Sequence, residues 1–331
     1  DIDILEMEHF DKGYESVPEN VKILKAFQDY RQPRWLRALL WRLRIYFPRL
    51  TRRLLVKDQY DVEVSFTIMN PPLLFSKRQE VKKISWIHGS IEEFLTDSSK
   101  RDSHRRQLDA ADRIVGISKK TSNSIKEVYP DYSQKLVTVY NGYDFESILE
   151  KSIEKIAIEI APQSICTIGR IEENKGSDRV VEVIKLLHQQ GKKYHHYFIG
   201  AGDMEEELKK QVKEYQLEDY VHFLGYQKNP YQYLSKMQVL LSMSKQEGFP
   251  GVYVEALSLG VPFVSTEVGG AEELSQEGRF GKIIDSNQEA AQAIDNYMTA
   301  VSTFDANEAN QFIQQFTIAK QIEQVEKLLE E

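Results

Sequence analysis

The sequence predicts an α/β protein made of two doubly wound, Rossmann-like domains that face each other across a cleft. Three observations lead there. A chain of 331 residues exceeds the usual size of one domain, so two domains of roughly 150 residues are expected. Short β-branched or aromatic runs recur between helical patterns, the alternation that a parallel sheet with crossover helices requires. A charged stretch with no core pattern, residues 146–162 (ESILEKSIEKIAIEIAP), then divides the strands and helices into two series. The expected organisation is an amino-terminal domain over 1–145, that linker, a second domain over 163–312 and a closing stretch over 313–331.

In the first series the expected strands are 3–6, 62–68, 83–87, 113–116 and 135–140. In the second they are 164–168, 196–199, 220–224, 239–242, 262–265 and 282–284. After Ser177, read as a helix cap, Val180, Val183, Ile184 and Leu187 follow the i, i+3, i+4, i+7 rule, and Gly191 ends the helix. Further helices are expected at 204–215, 252–259, 271–276 and 288–301. The final helix, 318–329, can pack on either domain. Ligands of open α/β sheets bind outside the carboxyl ends of the strands, so chemistry is sought in the loops that follow them.

A net charge of −8 argues against general nucleic-acid binding. No apolar run approaches the roughly 20 residues that cross a bilayer. The single cysteine, Cys166, leaves no internal disulfide framework and fits a reducing cytoplasm. One segment breaks the acidic balance: residues 31–53 hold eight arginines and no acidic residue. Arg34, Arg37, Arg42 and Arg44 alternate there with Trp35, Trp41 and several leucines, a composition that suits the interface of an anionic membrane. The plainer alternative is a helical arm that packs Leu and Trp inward and leaves the arginines in water. Pro33 and Pro48 confine a continuous helix to about residues 35–47.

The strongest chemical signal is Glu247-Gly-Phe-Pro-Gly-Val-Tyr-Val-Glu255, which follows an expected strand and opens a helix. Gly248, Pro250 and Gly251 shape a tight entry whose exposed amides can bind an anion, and Phe249 and Val252 lie within that turn. Its two carboxylates can each accept hydrogen bonds from hydroxyl pairs. A capped helix with solvated glutamates is the structural alternative. The second signal, Gly169-Arg170-Ile-Glu-Glu-Asn-Lys175-Gly176, brings a planar fork and a point charge to the mouth of the next helix, as a diphosphate would require. A salt-bridged loop involving Glu172 and Glu173 would read the same way. His88, before Gly89 at a strand end, is a third candidate. Weaker turns are Gly116-Ile-Ser118, Asn141-Gly-Tyr-Asp144 and Gly269-Gly270. Gly200-Ala-Gly202 lacks the third glycine of a dinucleotide fingerprint, and the pair Asp1 and Asp3 carries no weight as a metal site.

Taken in order, the Gly-Arg turn with its Lys-Gly, then Ile199-Gly-Ala-Gly202, Phe223-Leu-Gly225, the Glu-x7-Glu segment, Gly260-Val-Pro262 and Val268-Gly-Gly270 with Glu273 resemble one family. It is the retaining glycosyltransferases of the GT-B fold, specifically family 4 of the bacterial surface-glycan type. The match is tight over 164–285 and looser over 60–144.

The resemblance implies that Arg170 and Lys175 bind the donor diphosphate. It implies that Glu247 contacts the transferred sugar, that the backbone from Phe249 to Val252 lies close by, and that Glu255 takes the ribose hydroxyls. His88 would lie beside the reacting sugar. No metal cofactor is implied; the donor is a nucleotide sugar, with UDP-hexose or UDP-N-acetylhexosamine expected. The acceptor would be a lipid-linked or protein-linked glycan, handled in the cytoplasm at the inner face of a membrane. A non-catalytic partner subunit on the same fold is the rival class. Family members open with a strand and a glycine-rich loop that are not found here. The expectation is that one βα unit, roughly 40 residues, precedes Asp1.

Overall fold

A computed structural model describes residues 2–6, 8–9, 17–24, 27–66 and 75–330. Thr67, Ile68 and Asp1 therefore lie outside the described residues. The chain divides into two compact units, one of residues 1–87, 92–115 and 126–137, the other of residues 88–91, 116–125 and 138–331.

The first unit begins with β1 (Ile2–Leu5), β2 (Glu8–His9), β3 (Val21–Leu24) and β4 (Gln28–Asp29). These form two small parallel pairs, β1 with β3 and β2 with β4. Asp3 accepts a hydrogen bond from the Tyr60 hydroxyl at 2.6 Å, which gives that carboxylate a structural partner. The arginine-rich segment forms α1 (Arg34–Tyr46) and α2 (Pro48–Leu55), broken between them at Pro48, which cannot donate to the preceding turn. Next along the chain come β5 (Val62–Ser65), β6 (Lys82–Ile87), α3 (Ser98–Ala110), β7 (Arg113–Gly116), α4 (Lys119–Val128), most of which belongs to the second unit, and β8 (Leu136–Thr138). The sheet order is β5-β6-β7-β8, and Ile84, Ile87, Ile114 and Val115 are fully buried in it.

On α1, Leu36, Leu40 and Leu43 are half-buried at helical spacing. Trp35 is 70 % exposed, Trp41 50 % and Tyr46 72 %, and Leu39 and Phe47 are exposed with them. The tryptophans therefore point outward, contrary to the inward-packing alternative. Not all eight arginines are available to a surface, however. Arg31 pairs with Asp29 at 3.0 Å, and Arg52 reaches the Glu63 carboxylate.

The second unit runs through α5 (Phe145–Ser152), β9 (Ser164–Ile168), α6 (Ser177–Gln189), β10 (His195–Ile199), α7 (Glu205–Glu214), β11 (Val221–Phe223), α8 (Tyr231–Leu234) and β12 (Val239–Ser242). It continues with α9 (Gly251–Ser258), β13 (Phe263–Thr266), α10 (Ala271–Ser275), β14 (Gly281–Ile284), α11 (Asn287–Met298), α12 (Ala306–Ile313) and α13 (Ile318–Glu330). Residues of the expected linker thus begin as a helix, with Ile148 buried. Its six strands are all parallel, in the order β11-β10-β9-β12-β13-β14. Helices cover both faces of such a sheet, so central strands bury consecutive apolar residues: Ile165, Cys166, Val239, Leu240 and Leu241 are buried without alternation. Val180, Val183, Ile184 and Leu187 of α6 are all buried in this core, as their spacing predicts.

One expected helix cap is corrected. Ser177 is the first residue of α6 and not its cap, which is Gly176 at φ +61°. A side chain there would be strained by that backbone and would stand 2.0 Å from the Met243 carbonyl oxygen, so glycine is required. The final helix α13 packs its start on the 141–144 turn, where Gly142 N donates to Gln321 Oε1 at 3.1 Å.

Candidate active site

Strands β10 and β11 are added on one side of β9, and β12, β13 and β14 on the other. The winding therefore reverses between β9 and β12, and neighbouring loops leave that point toward opposite faces and open a crevice. The loop after β9 carries Gly169, Arg170 and Lys175, and the loop after β12 carries Glu247 to Gly251. A cavity of about 230 Å³ lies between them. Every donor-binding candidate lines it except Gly248 and Glu255, and Thr167, Ile168, Ser242 and Ser244 complete the wall. A larger, more open groove of about 570 Å³ follows the edge strand β11, two strands from this reversal, and holds none of the candidates.

The two loops are clipped together by crossed charges. Lys175 Nζ donates to Glu247 Oε1 at 2.7 Å, and Lys245 Nζ donates to Glu173 Oε1 at 2.7 Å. The Lys245 amide also donates to the Asn174 carbonyl at 2.8 Å. The Lys175–Glu247 pair is mostly shielded, whereas the Lys245–Glu173 pair is exposed and screened, so the first sets the electrostatics of the cavity. Arg170 is three-quarters exposed and pairs with Glu172 at 2.9 Å, a partner it can leave for a stronger anion. The salt-bridged alternative is thus present in part, at the rim of a cavity that it does not fill.

Helix α9 opens into this cavity from Pro250, and no side chain caps it. Its first amides and its dipole supply further positive potential. Of the polar lining groups, Thr167 is already engaged: its hydroxyl donates to Leu241 O at 2.8 Å and so accepts from His196 Nε2 at 3.0 Å. Burial pushes that imidazole down to about 3, so it stays neutral.

The turn from Glu247 to Gly251 is held from several sides by the weaker motifs. A Cβ on Gly248 would stand 1.9 Å from the His88 carbonyl oxygen, so the turn can approach His88 only with glycine there. The Ser118 hydroxyl lies 3.3 Å from the Gly248 carbonyl. Gly269 and Gly270 pack against Glu247, Gly248 and the Phe249 ring. That ring is buried between Tyr140 and Phe316, so Phe249 anchors the turn while its backbone lines the cavity. Glu273, from the Gly-Gly motif, is anchored away from the cavity, accepting from the Lys120 amide at 2.9 Å and the Tyr140 hydroxyl at 2.7 Å. His88 keeps an exposed surface, while partial burial lowers its pKa below the ordinary imidazole range and favours the neutral ring.

Glu255 stands one helical turn beyond Gly251 along α9 and outside the cavity lining. Burial pushes its carboxyl up from the ordinary glutamate range, and a hydrogen bond from the Tyr231 hydroxyl at 3.0 Å opposes that shift. Sequence reasoning missed Tyr231, which lies in no motif.

The family model for glycosyl transferases group 1 matches residues 150–316. The chain belongs to this family. Among curated glycosyltransferases, it is 29% identical over 180 residues to the Campylobacter jejuni N-acetylgalactosamine-N,N'-diacetylbacillosaminyl-diphospho-undecaprenol 4-alpha-N-acetylgalactosaminyltransferase, covering 54% of this chain and 48% of that protein. It is 30% identical over 183 residues to the putative colanic acid biosynthesis glycosyltransferase WcaL of Escherichia coli, covering 53% and 44%. The chain thus spans about half the length of these curated relatives. Among solved structures, HepE of Anabaena in complex with UDP superposes with a TM-score of 0.72 at 17% identity, covering 94% of this chain and 86% of that one. The fold is GT-B, as the order of motifs in this glycosyltransferase sequence implies.

Proposed function

We propose that this glycosyltransferase moves a hexose or N-acetylhexosamine from a UDP-sugar, with retention, onto a lipid-linked saccharide during surface-glycan assembly. The observation that supports this reading best is the shielded Lys175–Glu247 pair inside the cavity at the winding reversal. There an ammonium and a carboxylate lie side by side, the first suited to a phosphate and the second to sugar hydroxyls. In this reading Arg170, Lys175 and the first amides of α9 stabilise the charge that grows on the leaving diphosphate, without a divalent cation. Glu247 holds the sugar, the backbone from Phe249 to Val252 lies along it, Glu255 takes the ribose, and His88 lies beside the reacting carbon. The names of the relatives point the same way: one acts on a diphospho-undecaprenol saccharide, another belongs to colanic acid biosynthesis, and the structural neighbour was solved with UDP.

Calorimetric titration with UDP, GDP and ADP tests the donor half. UDP is expected to bind in the micromolar range and at least tenfold more tightly than the other two, and Arg170→Ala is expected to weaken it about tenfold. Equal affinity for all three nucleotides would refute the choice of UDP.

The reading also places the enzyme in the cytoplasm against the inner face of a membrane, through α1 and α2. Arg34 and Arg42 are exposed beside Trp35, Trp41 and Tyr46, which gives cations and amphipathic rings on one surface. Among the described residues no helix is long and apolar enough to cross a bilayer, so contact would be peripheral. Co-sedimentation with vesicles of phosphatidylglycerol and phosphatidylcholine should retain the protein, weakly in phosphatidylcholine alone. Changing Arg34, Trp35, Trp41 and Arg42 to Ala together is expected to release it, each arginine contributing about 1 kcal/mol before screening. Unchanged retention of that variant would remove the membrane from this account. A protein-linked acceptor would then be favoured, because it needs no membrane contact.

A further inference from the structure

Glu255 is held by more than its own helix. The Tyr231 hydroxyl donates to its Oε1 at 3.0 Å. Tyr231 is itself fixed by its backbone, whose amide donates to Asn229 Oδ1 at 3.1 Å. The Asn229 side-chain amide donates in turn to Lys151 O at 2.8 Å and to Glu154 Oε2 at 3.0 Å, tying the start of α8 to the end of α5. Helix α5 packs on both α8 and α9, so the tyrosine that gives the hydrogen bond and the glutamate that takes it share one support. Tyr143, whose hydroxyl would lie 3.0 Å from a Cβ added at Gly251, stands close enough to Glu255 to feel its charge.

This arrangement has a chemical consequence. A glutamate side chain turns about three torsions, and when exposed it presents its carboxylate in many directions. With Oε1 engaged by Tyr231, the carboxylate plane is set, and Oε2 together with the remaining lone pair of Oε1 can accept from two neighbouring donors. A vicinal diol offers two such donors. We propose that Tyr231 is a positioning residue for nucleotide recognition, its hydroxyl orienting Glu255 so that the carboxylate meets both hydroxyls of the donor ribose. The proposal rests on the reading that Glu255 binds ribose. The hydrogen bond also opposes the upward push that burial gives this carboxyl, favouring the ionised form that accepts both bonds.

The test is the preference for UDP over 2′-deoxy-UDP, measured by calorimetry on the wild type, Tyr231→Phe and Glu255→Ala. A hydrogen bond to a charged group is lost with the 2′-hydroxyl, so the wild type should prefer UDP by about 10- to 100-fold. Tyr231→Phe should lower that ratio to about threefold at an unchanged thermal midpoint, and Glu255→Ala should bring it near one. The pH below which the preference fades should also move upward in Tyr231→Phe, because its carboxylate loses a stabilising donor. A merely structural tyrosine would weaken both nucleotides equally and leave the ratio unchanged, which would overturn the proposal. If Glu255→Ala itself keeps the wild-type ratio, the ribose reading fails and the proposal fails with it. Absence of UDP binding by the wild type would overturn both.

Discussion

Replacing Lys175 by alanine should lower kcat/KM by about 10²- to 10³-fold and UDP affinity by at least tenfold, the largest loss expected from any single side chain here. Two effects act together. On the proposed reading, the diphosphate loses a point charge at the place where leaving-group charge develops. Glu247, now without the ammonium 2.7 Å away, also turns an uncompensated carboxylate toward an anionic ligand. The second effect makes a specific double-variant prediction. Glu247→Gln in the Lys175→Ala background should restore part of the UDP affinity, because it removes the repulsion without restoring the attraction. Lys175→Arg should not rescue turnover fully, since a planar fork does not sit where a compact ammonium did. Calorimetry with UDP and turnover with the preferred UDP-sugar measure the two parts. Wild-type UDP affinity in Lys175→Ala would remove the diphosphate from this cavity.

Gly248→Ala should fold and yet lose activity by about 10²-fold or more, with stability lowered by about 1–3 kcal/mol. The added carbon would stand 1.9 Å from the His88 carbonyl oxygen, and the obstacle is backbone, which cannot rotate away. The turn must therefore shift, and Glu247 and the start of α9 shift with it. Gly251→Ala is the matched control. Its nearest obstacle is the Tyr143 hydroxyl at 3.0 Å, the tip of a side chain, and a much smaller effect is expected. Thermal melts separate the stability loss from the catalytic one. Equal activity in the two variants would show that the close approach to His88 is not needed for catalysis.

The parts of this fold that were legible were those with an uninterrupted physical signal. β7, β9 and β12 occupy the residues expected of them, because parallel strands buried on both faces are rich in β-branched and apolar residues and so stand out as short runs. α6 was legible from its four inward residues. α3 was not, because its sequence SSKRDSHRRQLDA offers the core little beyond Leu108. The two-residue strands β2 and β4 are too short to show any period. In the site, the sequence named both loops of the cavity, because each motif follows a legible strand at its carboxyl end, where ligands of such sheets bind. It could not reveal that Lys175 pairs with Glu247, 72 positions away, or that Tyr231 reaches Glu255, because such partners meet only after the sheet has formed. Lys245, an ordinary surface residue by composition, emerged as a clasp between the two loops for the same reason.

On the proposed reading, the pairing of Lys175 with Glu247 makes the cavity a two-input device. A bare inorganic anion that enters meets a neutral couple: it gains the ammonium only by leaving the carboxylate without a partner, and the exchange yields little. A polyol without charge faces the opposite shortfall. A nucleotide without its sugar would engage the ammonium alone and draw the rest of its affinity from its base and ribose. A molecule that presents a phosphate at one end and sugar hydroxyls at the other can replace both halves of the couple at once. In that reading, an internal counter-ion of this kind would lower the affinity for free phosphate relative to a molecule with both features.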